Sequence, residues 1–193
     1  MRTITKGIAV AAVSGIMLSV GITAATAEDV TSIISGGDLA ATTSGATLTG
    51  VVLDGSNTQT ATGTATEWTI KDARGTGAAW ELSVSATDLK SAAGTVDTTV
   101  RTIPVTALTV TPGTVTAGAG SDAATSITAS AKALSIASQG LVTATGPNKG
   151  TYTLTPSFSL AVPANAYRSN YVDVVGPDAP MHPYITTITY TIA

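Results

Sequence analysis

Two stretches of the chain alternate strictly between faces. Trp80, Leu82, Val84 and Ala86 fall on one side, with Glu81, Ser83 and Ser85 on the other. Near the end, Tyr184, Thr186, Ile188, Tyr190 and Ile192 share a side, with Ile185, Thr187, Thr189 and Thr191 opposite. Successive side chains of a strand point to opposite faces, so each stretch can set one face on a core and the other toward water. Trp68 and Ile70 share a face in a shorter run. The pattern predicts strands over Leu48–Asp54, Glu67–Lys71, Ala79–Thr87, Val100–Thr111, Thr151–Leu154, Ser157–Val162 and Tyr184–Ile192. Ser126–Ile136 reads as a strand or an Ala-rich helix, and its β-like flanks favour the strand. The Thr-rich stretch Thr58–Thr66 fits either a strand or an O-glycosylated loop. Gly, Pro, Asn and Asp cluster between these runs, where positive or fixed φ is needed to turn the chain. The loop Asp72–Gly77 predicts a hairpin that brings Trp68 near Trp80.

The opening residues follow another pattern. Met1-Arg2-Thr3-Ile4-Thr5-Lys6 is basic, Gly7–Ile22 is apolar, and Ala25-Thr26-Ala27 is small at the −3 and −1 positions. That is the layout of a secretory signal, with cleavage expected after Ala27. The expected organisation is a signal at 1–27, a flexible or edge lead-in at 28–45 containing Gly36-Gly37, and one β-sandwich domain at 46–193. Removing 27 of the 193 residues leaves 166, a comfortable size for one domain. No later apolar run is of spanning length, so a secreted, extracellular protein is expected, with no membrane span after cleavage.

Composition narrows the picture. Thr contributes 37 residues, only 11% of the chain is charged and 4% is aromatic. Thr and Val are β-branched and stiff at χ1, which favours pleated strands and an all-β antiparallel sandwich. With no Cys there is no disulfide framework, thiolate zinc site or Cys nucleophile. The net charge of −3 becomes −5 once Arg2 and Lys6 leave with the signal, and nucleic acid is not an expected partner.

Candidate chemistry is sparse. His182 is the sole histidine and lies in the loop Pro180-Met181-His182-Pro183, without a Gly-x-Ser-x-Gly turn anywhere to pair with it. The Asp residues lie mostly beside turns, where they cap backbone N–H groups, and no calcium-loop run is present. An enzyme is not expected, nor a cofactor or a metal site. The aromatics divide into Trp68 and Trp80 early and five Tyr and one Phe after residue 150.

Those aromatics carry a family resemblance. Glu67–Ala86, with its Asp-x-Arg-Gly-x-Gly loop leading into Trp80-Glu81-Leu82, resembles the first Trp-x-Leu segment of the WxL-domain cell-surface proteins of Gram-positive bacteria. Gly150–Pro156 and Leu160–Tyr167 resemble the family's late strands. Tyr184–Ile192 resembles its distal motif, with Tyr190-Thr191-Ile192 in place of the second Trp-x-Leu and a Pro-rich insertion, Gly176–Pro183, before it. The resemblance implies an exported β-sandwich attached non-covalently to peptidoglycan or wall polysaccharide, with other surface proteins as further partners. The positions it singles out as wall-binding are Trp80, Leu82, Tyr184, Ile188, Thr189 and Tyr190, with Ile192 beside them. Two readings of these residues stay open: rings offered to sugar faces, or strands that only pack, with loops such as Asn165–Tyr171 making the contact. The alternative function is a structural subunit of a surface filament or layer assembled by strand exchange.

Overall fold

The computed structural model describes residues 30–193, so the expected signal segment and its cleavage point lie outside the described residues. Residues 30–34 form no regular element, and Val30, Ile33 and Ile34 are almost fully exposed. The body of the fold runs from Ser35 to Ala193.

Fourteen strands form among the described residues. In chain order they are β1 (Leu39–Thr42), β2 (Gln59–Thr64), β3 (Trp68–Asp72), β4 (Trp80–Ala86), β5 (Leu89–Ser91), β6 (Arg101–Ile103), β7 (Leu108–Thr111), β8 (Thr116–Ala117), β9 (Ile127–Ala129), β10 (Lys132–Ala133), β11 (Gln139–Ala144), β12 (Gly150–Leu154), β13 (Ser157–Val162) and β14 (Ile188–Ile192). They build four sheets, ordered β1-β3-β12-β8, β10-β7-β13-β2, β14-β4-β11-β9 and β5-β6. All the strand pairs are antiparallel.

The first two sheets are joined end to end. Residues 65–67 carry β2 into β3, and Thr155-Pro156 carries β12 into β13. The β14-β4-β11-β9 sheet packs on the β1-β3-β12-β8 sheet through aromatic pairs. Trp68 on β3 meets Tyr190 on β14, and Trp80 on β4 meets Tyr152 on β12. Around them Ile70, Leu82, Val84, Val110, Leu141, Val142 and Leu154 belong to the hydrophobic core. The chain is therefore the all-β antiparallel sandwich that the alternation and the Thr and Val content predict.

Several expectations are corrected. β3 and β4 do not pair, because β3 lies between β1 and β12 while β4 lies between β14 and β11. The Asp72–Gly77 loop is thus a crossing from one sheet to the other, and each Trp takes a Tyr as its ring neighbour. The loop holds its shape through Arg74, whose guanidinium donates two hydrogen bonds to the buried Asp72 carboxylate (3.0 and 2.9 Å) and one to the Ala78 carbonyl (2.9 Å). Gly75 and Gly77 turn it with φ of 73° and 68°, a region only glycine enters freely.

Leu48–Asp54 forms no strand. It runs extended beside β2 and is tied there by the Thr49 N–H to the Thr62 carbonyl (2.8 Å). A Cβ on Gly63 would collide with the Thr47 carbonyl, so this strap lies close only because Gly63 has no side chain. Ser126–Ile136 splits into β9 and β10, which join different sheets. The last strand begins only at Ile188; before it, Ile185 makes an isolated bridge to Lys90. Thr58–Thr66 contains β2, the strand rather than the loop.

Candidate functional site

The two motif strands are neighbours. On β4 and β14, Leu82 lies opposite Ile192, Ser83 opposite Thr191 and Val84 opposite Tyr190. The backbone of Glu81 exchanges two hydrogen bonds with Ala193 (2.8 and 3.1 Å), which ties the first tripeptide to the end of the second. Trp80-Glu81-Leu82 and Tyr190-Thr191-Ile192 thus lie side by side, with β14 at the edge of the sheet.

Their side chains point three ways. Trp80 is 2% exposed and Leu82 0%. The Trp80 indole N–H donates to the Asn148 carbonyl at 3.3 Å, and its ring leans on Tyr152 at 6.1 Å. Asn148 is itself buried, accepting from the Ser126 hydroxyl and donating to the Ala123 carbonyl. A ring fixed on so many sides offers no face to a sugar unless the sandwich opens. Thr189 lies on the outer face, opposite Ser85, among the exposed hydroxyls of that sheet. Tyr184, Ile188 and Tyr190 point inward but stay only half-buried.

Those three residues stand on the wall of an open groove of about 1190 Å³. One bank is formed by residues 45–53, which include most of the strap. The other is formed by side chains drawn from 166–171 and 181–190, Thr189 not among them, and the floor by core side chains including Leu108, Phe158 and Leu160. The lining is mainly apolar, with Tyr167, Tyr171 and Tyr184 gathered on one bank. Concave, largely apolar clefts with a few polar groups are where ligands are generally held.

The rim is held by a buried polar knot. Asn170 is 1% exposed, and its amide donates to the carbonyls of Ala92 and Thr99, both at 2.8 Å. Its backbone N–H donates to the Ser91 hydroxyl (2.9 Å), which in turn donates to the His182 carbonyl (2.6 Å). His182 returns its backbone N–H to the Asn170 carbonyl (2.8 Å). The sole histidine thus enters the structure through its backbone. The Tyr184 hydroxyl donates to the Tyr167 carbonyl (2.9 Å), joining the two segments of the bank. Buried hydrogen-bond networks of this kind rigidify what they join.

Charge is concentrated beside the knot. Arg168 forms a two-pronged pair with Asp97 (2.7 and 3.3 Å), and Asp97 also accepts the Tyr171 N–H (2.9 Å). The Arg168 hydrogen bonds, helped by that backbone N–H, hold the Asp97 carboxyl below the usual carboxylate range. Arg168 sits over the Tyr171 ring at 4.3 Å and Arg101 over the Tyr167 ring at 3.9 Å.

Of the six positions singled out from sequence, the structure brings Tyr184, Ile188 and Tyr190 together on one groove wall. It places Trp80 and Leu82 in the core and Thr189 on the opposite face. The loop Asn165–Tyr171, the other candidate contact, supplies part of the facing bank, whereas the strap's role, the Ser91–Asn170 knot and Arg101 carry no signal in the sequence. Asn170 and Ser91 look like ordinary loop and turn residues, since burial of a polar group leaves no periodic trace. A family model described as WxL domain, surface cell wall-binding, matches residues 29–193. No curated protein and no solved structure registers as a match.

Proposed function

The chain belongs to the WxL-domain family of surface, cell wall-binding proteins, and on that premise we propose that it meets the wall through the groove between the strap and the Tyr167–Tyr184 bank. It is a cell-surface protein whose family binds rather than catalyses. The ligand in this reading is the glycan of peptidoglycan or another wall polysaccharide. The observation that carries it is the groove itself: an open, apolar channel with Tyr167, Tyr171 and Tyr184 on one bank. Tyrosine rings present flat apolar faces to sugar C–H groups, and their hydroxyls find polar partners. Trp80 and Leu82 take the structural half of the work: Trp80 packs β4 onto Tyr152 of β12, and Leu82 lies opposite Ile192 of β14, the strand whose Ile188 and Tyr190 line the groove.

The chain contains no cysteine, so single cysteines report contact cleanly. Val52→Cys sits exposed on the strap, and Thr189→Cys sits on the far face. Purified Gram-positive sacculi should slow alkylation at position 52 and leave position 189 unchanged. Protection at 189 with none at 52 would move the contact to the outer face of the sheet.

Assembly by strand exchange is the second reading. It is favoured by Val30, Ile33 and Ile34, three β-branched residues lying almost fully exposed. Deleting residues 28–36 would spare β1 and test it by size-exclusion chromatography. Large species formed by the chain and lost in the deletion would support assembly, and a monomer in both would end it.

A further inference from the structure

We infer that Arg101, stacked on Tyr167, forms an anion-binding subsite at the rim of the groove, taking a phosphate or carboxylate carried by the wall polymer. This rests on the groove reading above and deepens it by naming the ligand's charge.

Three arginines lie among the described residues. Arg74 is committed to Asp72 and Arg168 to Asp97. Arg101 has no carboxylate in ion-pair range among the described residues. In a chain with 12 acidic and 9 basic side chains, a guanidinium with no directly paired carboxylate among the described residues is the less expected arrangement, Asp97 acting on it only through space.

Its geometry suits a ligand. The guanidinium carbon stands 3.9 Å from the centre of the Tyr167 ring. A guanidinium lying on a ring keeps its N–H edge free, and that edge matches the two oxygens of a phosphate or carboxylate. Tyr167 is 63% exposed, so the stack is reachable from solvent. Beside it is a small cavity of about 90 Å³, lined by Asp97, Arg101, Tyr167, Arg168 and Asn170. Asp97 faces that cavity too, but Arg168 and the Tyr171 N–H already occupy it. The cluster therefore keeps one net positive charge.

The subsite is also anchored and connected. Arg101 pairs with Ser91 across the β5–β6 ladder, and Ser91 belongs to the buried knot. Tyr167 and Arg168 line both this cavity and the groove. A polymer lying in the groove would bring an acidic substituent within reach of Arg101.

The test has two parts. Inorganic phosphate and, separately, acetate would be titrated into the folded protein while the Arg101 and Tyr167 NMR signals are followed. Saturable shifts that vanish in Arg101→Gln are expected, and their absence from wild type would overturn the subsite. Second, wild type, Arg101→Gln and Arg101→Lys would be sedimented with sacculi over a range of salt, their melting temperatures checked alongside. Loss of roughly tenfold in affinity for Arg101→Gln is expected, with a flatter salt dependence and partial recovery in Arg101→Lys. Equal binding and equal salt dependence in a folded Arg101→Gln would overturn the proposal. Sacculi stripped of phosphodiester-linked polymer by hydrofluoric acid separate the sources. If the difference between wild type and Arg101→Gln disappears there, the anion is a phosphate; if it persists, it is a carboxylate. Phosphate shifts at Arg101 without any sacculus binding would uphold the subsite and overturn the wall-contact reading instead.

Discussion

Tyr190 meets Trp68 edge-on across the sandwich, their ring centres 4.7 Å apart and their planes at 72°. Edge-to-face contact is a favoured arrangement of two rings. It joins β14, the last strand of the chain, to the facing sheet. The contact costs something, because the Tyr190 hydroxyl is buried with no hydrogen-bond partner among the described residues. Trp68 has no such defect, since its indole N–H donates to the Ser44 carbonyl at 3.0 Å.

Tyr190→Phe should therefore be neutral or stabilising by about 1 kcal/mol, as it removes an orphaned polar group and keeps the ring. Burial pushes the Tyr190 hydroxyl well above the ordinary tyrosine range. A group raised in the fold contributes stability below its unfolded value and loses it as pH climbs from there. Wild type should weaken above about pH 10, and Tyr190→Phe should weaken less. Denaturant melts from pH 8 to 11 check this; parallel curves for the two proteins would contradict it.

Trp80→Ala should cost roughly 3–5 kcal/mol, the range for emptying a large aromatic site in a core. Trp80→Phe should cost less while leaving the Asn148 carbonyl without its indole donor. Chemical denaturation measures both. A melt unchanged in Trp80→Ala would contradict the burial on which the account rests.

Asp72 gives the acid side. The Arg74 hydrogen bonds, first among the causes, hold its carboxyl below the usual range although burial opposes them. Its contribution is present above the unfolded value near pH 4 and is lost as pH falls through the depressed folded value. Asp72→Asn should lower the melting temperature at neutral pH and flatten the acid limb below about pH 4. An acid limb identical to wild type would refute this role.

Asn170→Ala should cost about 2–3 kcal/mol, because the Ala92 and Thr99 carbonyls lose their donor. It should also loosen the rim, so amide exchange in residues 165–171 should quicken well before the sandwich opens. Exchange quickening only with global unfolding would deny the knot its local role.

The fold was legible wherever one face is buried and the other wet. β4 and the run from Tyr184 to Ile192 show the alternation that their burial later explains. β11 escaped notice because its ladder slips between Gly140 and Val142, burying Leu141 and Val142 side by side and erasing the alternation. The sequence points to a Trp68–Trp80 hairpin that does not form, because a Gly-rich loop between two strands signals a reversal but not the sheet to which the chain returns. The strap over 48–54 has apolar residues in strand-like order and sits beside β2, yet one ladder hydrogen bond does not make a strand. The site was half visible. Tyr184, Ile188 and Tyr190 reach the groove because they share a face. Arg101 was invisible because its partner is a ring 66 residues onward in the chain.

The most direct test is sedimentation of residues 28–193 with purified sacculi, comparing wild type, Trp80→Phe and Tyr167→Ala after circular dichroism confirms that each is folded. If the groove meets the wall and the motif strands only support it, Trp80→Phe should bind like wild type and Tyr167→Ala should lose roughly tenfold or more, about one stacking contact's worth. Binding abolished in a folded Trp80→Phe but intact in Tyr167→Ala would contradict the account and return the contact to the tripeptide itself.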